Sequence, residues 1–144
     1  MISKKILSFC VLPIILFLSG CGPSDQEMNT KLVKGCEAAV QHILKFIDSD
    51  YSYTSLIDSK FEHDRSNKMV DVILHANVMY REFSEEEQSF RCVFEEAKNI
   101  LSYRVTIDYV EAEDEKYGRV NNSLINLRIP EFSALDEVVR QATR

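Results

Sequence analysis

Apolar and polar positions follow three different patterns along this chain, and each predicts a different element. The first is an unbroken run: Ile6 to Leu18 are thirteen consecutive apolar or small residues behind Lys4 and Lys5. The second begins at Met28, where apolar residues recur at Leu32, Cys36, Val40, Ile43 and Ile47. Steps of three and four place them on one face of an amphipathic helix that runs to about Asp48. Ser24 and Glu27 stand at capping-box spacing in front of it. Gly35 inside it costs about 1 kcal/mol relative to Ala and marks close packing against a neighbour. The third pattern has a period of two. Val70, Val72, Leu74, Ala76, Val78 and Tyr80 alternate with Asp71, Ile73, His75, Asn77, Met79 and Arg81, as in a long strand with one apolar face.

Further strands follow the same reasoning. Ser89 to Glu95 directs Phe90, Cys92 and Phe94 to one side, and about Tyr103 to Glu111 does so with Tyr103, Val105, Ile107 and Tyr109. A fourth strand near Ser123 to Ile129 ends at Pro130, and Ser133 can cap a short final helix carrying Leu135, Val138 and Val139. Tyr51 to Asn67 reads as irregular, with at most a short strand near Leu56 to Glu62; Glu82 to Gln88 reads as a charged loop and Glu111 to Gly118 as an acidic turn. Together these predict an α+β fold, a long N-terminal helix packed on an antiparallel sheet of about four strands with a short C-terminal helix.

The apolar run is too short to span a bilayer, which needs about 20 residues, and has the length of an export signal. It closes on Leu18-Ser19-Gly20-Cys21, which resembles the lipobox of bacterial lipoproteins. The resemblance implies cleavage after Gly20, diacylglycerol on the Cys21 sulfur and a further acyl chain, such as palmitate, on the new amino group. Two or three chains hold a protein on a membrane durably, where one would not. Because Gly22 rather than Asp follows the cysteine, the resemblance implies sorting to the outer membrane, facing the periplasm. The expected organisation is a signal peptide over 1–20, a lipidated tether over 21–26 and one α+β domain over 27–144.

Composition rules out some classes. With 45% hydrophobic and 28% charged residues, four Gly and three Pro, the chain is neither disordered nor of low complexity. Lys4 and Lys5 lie in the leader, so the remainder carries 15 of the 17 basic residues against all 23 acidic ones, a net charge of −8. Such a surface repels phosphate backbones and anionic lipid headgroups, which argues against a nucleic-acid partner and favours a basic protein or a cation.

Cys10 leaves with the leader and Cys21 takes lipid, so Cys36 and Cys92 remain. The helix pattern buries one and the strand pattern the other, and in an oxidising envelope a disulfide between them is expected. His75-Ala76-Asn77 followed by Phe90-Arg91-Cys92-Val93-Phe94, behind a cysteine-bearing helix, is similar to some small exported bacterial proteins, a resemblance that implies no activity.

Chemistry is sparse. His42 lies off the helix stripe and is expected to be a half-exposed flank residue. His63, Asp64 and His75 are the only histidine-based metal set worth weighing, and zinc ligands cluster more tightly than these. Glu85-Glu86-Glu87, Glu95-Glu96 and Glu111 to Glu115 read as solvated strand ends that discourage edge pairing, and Asp48-x-Asp50 fails as a calcium loop for want of the central Gly and final Glu. No phosphate loop, nucleophile elbow or His-Glu-x-x-His is present. No cofactor, metal or catalytic residue is therefore expected. The expectation is a lipid-anchored, non-enzymatic envelope module that binds another envelope component. The alternative is a small-ligand carrier or cryptic hydrolase with a cavity between helix and sheet, for which His75 and Asn77 are the first candidates. Tyr51 and Tyr53 are read either as contact aromatics or as cover for the edge of the core.

Overall fold

In the computed structural model, which describes residues 22–64 and 67–144, Ser24 Oγ accepts the Glu27 N–H at 3.2 Å and opens α1 (Asp25–Ile47). Asp25 and Glu27 sit in its first turn, where the helix dipole favours negative charge. The helix therefore starts inside the span expected to be tether, and Gly22, Pro23 and Ser24 are the described residues ahead of it. Leu32, Gly35, Cys36, Ala39, Val40, Ile43 and Leu44 form its buried face. A Cβ at Gly35 would lie 2.8 Å from Thr143 Cγ2, so the glycine does mark a close approach, that of the C-terminal helix.

The strands form a single antiparallel meander of six, not about four: β1 (Tyr51–Asp64), β2 (Met69–Tyr80), β3 (Ser84–Lys98), β4 (Tyr103–Ala112), β5 (Glu115–Val120) and β6 (Ser123–Ile125), paired in chain order. The first addition is β1, over the segment read as irregular. Its register shifts between Tyr53 and Ser55 and again between Leu56 and Asp58. These bulges put Tyr53, Leu56, Ser59 and Phe61 opposite Val78, Ala76, Leu74 and Val72, so the spacing along the helix-facing side becomes three, three and two, which hides the period of two. The second addition is β5, which occupies much of the expected acidic turn. The actual turn is Glu113 and Asp114, with φ of 52° and 64°, the left-handed pair of a two-residue hairpin. Ser84 to Gln88, expected as loop, extends β3 through backbone pairing with β2 while its glutamates stay exposed.

A register shift also changes one face assignment. Val93 pairs with Tyr109 and Phe94 with Ile107, leaving Asp108 as the extra residue in β4. Val110 and Ala112 are thereby buried, and Tyr109 turns to the outer face, opposite to its expected side. Gly118 opposes Tyr109 with φ of 134°, and a Cβ there would lie 2.3 Å from the Asp108 carbonyl oxygen. Glycine is the residue this backbone admits.

The expected fourth strand is only the three residues of β6. Pro130 does not end a strand but lies in the first turn of α2 (Ile129–Ala142), where its missing N–H costs nothing. Ser133 is inside this helix rather than its cap; Glu131 instead accepts the Arg128 backbone N–H at 2.7 Å and pairs with the Arg128 guanidinium. Both helices cover one face of the sheet, and Leu32, Ile43, Leu74, Phe90, Phe94, Ile107, Leu135 and Val139 fill the space between. Among the described residues no helix is long and apolar enough to cross a membrane.

Candidate functional site

The core holds the first of the expected site residues. Cys36 and Cys92 form a disulfide with Cα atoms 5.6 Å apart, tying α1 to β3 across 56 residues. Both are fully buried, as the two patterns required. Cys21 lies outside the described residues. No charged or polar side chain is buried in the described core, and the volume between helices and sheet, where a ligand cavity was considered, is occupied by apolar side chains.

Phenols close the margins of this core. Tyr53 donates to Glu37 at 2.7 Å and Tyr103 to Glu96 at 2.6 Å, and burial followed by the carboxylate hydrogen bond raises both hydroxyls above the ordinary phenol range. They are held protonated as donors. Tyr53 thus covers the core edge beside α1, while the Tyr51 ring meets that of Tyr80 at a tilt, with centroids 5.0 Å apart, and its hydroxyl donates to Glu113.

The histidines do not converge. His75 pairs with Asp58 at 3.8 Å on the outer face, whereas His63 opposes the buried Val70 and so belongs to the helix-covered side. His42 is half-buried on α1, which lowers its imidazole from the ordinary value. Among the described residues no group of three or more His, Cys, Asp or Glu could hold a metal ion. The outer sheet face is laced by charge pairs, with Arg91 lying 3.7 Å from Asp71 and 3.8 Å from Glu62, and Lys116 5.1 Å over the Tyr109 ring.

The features that remain lie at the two ends of the sheet. β2 alone has twelve residues, so the ends stand roughly 40 Å apart. One end, here the near end, gathers Gly22, Lys68 ahead of β2 and the β3–β4 turn. A side chain at Gly22 would sit 3.9 Å from the Ile100 carbonyl oxygen. An open cleft of about 980 Å³ lies here, its lining including His63, Lys68, Glu95, Glu96, Lys98 and Arg104.

The far end gathers the C-terminus of α1 with the β2–β3 and β4–β5 hairpins. Arg81 and Glu82 take φ of 53° and 60° and make the turn, and Arg81 pairs with Asp50 at 2.8 Å. This turn presents Phe83 with 92% of its surface exposed. Phe46, also exposed, meets Tyr117 edge-on at 6.4 Å. Around them stand Asp48, Asp50, Glu82, Glu113, Asp114 and Glu115 against Lys45, Arg81 and Lys116, so this end is aromatic and acidic on balance.

Sequence reasoning passed over Phe83, Ile100 and Leu101. Their signal is an apolar residue inside a polar turn, as in Arg81-Glu82-Phe83-Ser84 and Asn99-Ile100-Leu101-Ser102. Pattern methods score such residues as breaks in a strand. No family model matches this chain, and no curated protein or solved structure matches it either.

Proposed function

We propose that this protein is a lipid-anchored envelope module whose far end binds a basic protein partner. The observation that carries the reading is Phe83, almost fully exposed on a hairpin tip among carboxylates, at the end opposite Gly22. A protruding aromatic ringed by charge has the character of an interface hot spot, where a few residues supply most of the affinity. Carboxylates around it speed encounter with a basic surface and disfavour acidic ones. The disulfide supports an oxidising compartment, and Leu18 to Cys21 support the anchor.

The test is in-cell cross-linking of the full chain, followed by capture and mass spectrometry. A stoichiometric partner with a basic contact surface is expected, with recovery falling by about tenfold or more in Phe83→Ser. Equal recovery from Phe83→Ser contradicts the assignment of the site. A small-ligand carrier is the second reading, favoured by the near-end cleft of about 980 Å³; a small molecule retained in native mass spectrometry would move weight to it.

A further inference from the structure

We propose that the Ile100–Leu101 tip is a second, non-covalent membrane contact, seated in the phospholipid bilayer beside the lipid on Cys21. It rests on the lipid-anchor reading and adds an orientation to it. Ile100 and Leu101 are consecutive and 80% and 88% exposed. Their turn is fixed in shape, since Asn99 Oδ1 accepts the Leu101 N–H at 2.9 Å, the Ser102 N–H at 2.7 Å and the Ser102 hydroxyl at 3.0 Å. The Asn99 N–H in turn donates to the Ser102 carbonyl at 2.9 Å. The protein thus presents two large aliphatic side chains to the outside on a braced turn, at the cost of leaving them in water.

Position identifies what covers them. Gly22, the residue after Cys21, lies against Ile100, and only Gly22, Pro23 and Ser24 separate Cys21 from α1. Four Cα steps span at most about 15 Å, so acyl chains on Cys21 hold this tip at the headgroup layer. The turn itself is basic: from Lys98 to Arg104 it carries two basic residues and no acid, while Asp25, Glu95 and Glu96 stand in the cleft beside it. Anionic headgroups are attracted to Lys98 and Arg104 at the tip. Aliphatic side chains flanked by Lys and Arg bury about 5–10 Å into the headgroup boundary.

The chain has no tryptophan, so one can report on each end. Full-length Leu101→Trp and Phe83→Trp proteins are extracted from producing bacteria and reconstituted in vesicles of phosphatidylethanolamine and phosphatidylglycerol with brominated acyl chains. Incorporation of labelled palmitate at Cys21 is measured on the same samples. With the label present, emission from position 101 should shift to the blue and lose about half its intensity to bromine, with position 83 unaffected. Labelled protein with equal, weak quenching at both positions overturns the docking and leaves the anchor reading intact. Absence of label overturns the anchor reading, and the docking falls with it. In Lys98→Glu/Arg104→Glu, quenching at position 101 should fall by about twofold; unchanged quenching contradicts the electrostatic part.

Discussion

A methyl group at Gly118 would collide with the Asp108 carbonyl oxygen at 2.3 Å and would also have to adopt a φ of 134°. Neither fault can relax without moving β4, so Gly118→Ala should destabilise the fold by about 2–4 kcal/mol in urea unfolding. A change below about 0.5 kcal/mol would show that the β4–β5 pairing tolerates displacement. His42 offers a milder, pH-dependent case. Burial holds its imidazole below the ordinary 6.5, so the unfolded chain binds the proton first. Stability therefore falls as pH drops through about 6.5 and levels off below the lowered folded value. Acidifying from about pH 7.5 to 5 should lower the Tm of the native protein more than that of His42→Gln, and equal losses would assign the acid sensitivity elsewhere. At this scale Cys36 and Cys92 were legible because each falls on the apolar side of a regular pattern. Tyr109 was not, because Asp108 is an inserted residue that no count of alternation from Tyr103 can detect.

Elements were legible in proportion to their regularity. α1 and β2 keep one period throughout and are found where the pattern places them. β1 is broken by two bulges and lies at the sheet edge, where one side of its backbone is unpaired. Such bulges and the exposed Lys60 blunt an edge that would otherwise recruit another strand, and the same irregularity hid the strand from sequence reasoning. β5 was lost inside an acidic stretch because backbone pairing, not side-chain burial, defines its ends. The strongest element-level prediction concerns the disulfide. It joins α1 to the centre of the sheet over a separation of 56 residues, a span for which loop-closure entropy gives about 4 kcal/mol. Reduction, or the Cys36→Ser/Cys92→Ser double variant, should remove about that much from a total of about 5–15 kcal/mol. Urea midpoints that coincide for oxidised and reduced protein would contradict a stabilising role.

The two ends of the strands differ in what they expose. Gly22 and the braced aliphatic turn with Lys98 and Arg104 share one end, beside Glu95 and Glu96, while Phe83 and the acidic hairpins share the other. On the proposed function, this is a domain standing on a membrane and offering its far end to a partner. The α+β fold class was legible in the sequence. The two ends were not, because the turns that build each of them are distant along the chain and meet only once the meander is formed. The anchor is the premise of the rest, and it is tested most directly by intact and peptide mass spectrometry of the protein extracted from bacterial membranes. The account predicts a chain that starts at Cys21 and carries a thioether diacylglycerol together with an amide-linked acyl chain. A chain that retains residues 1–20, or that carries an unmodified Cys21, would contradict it.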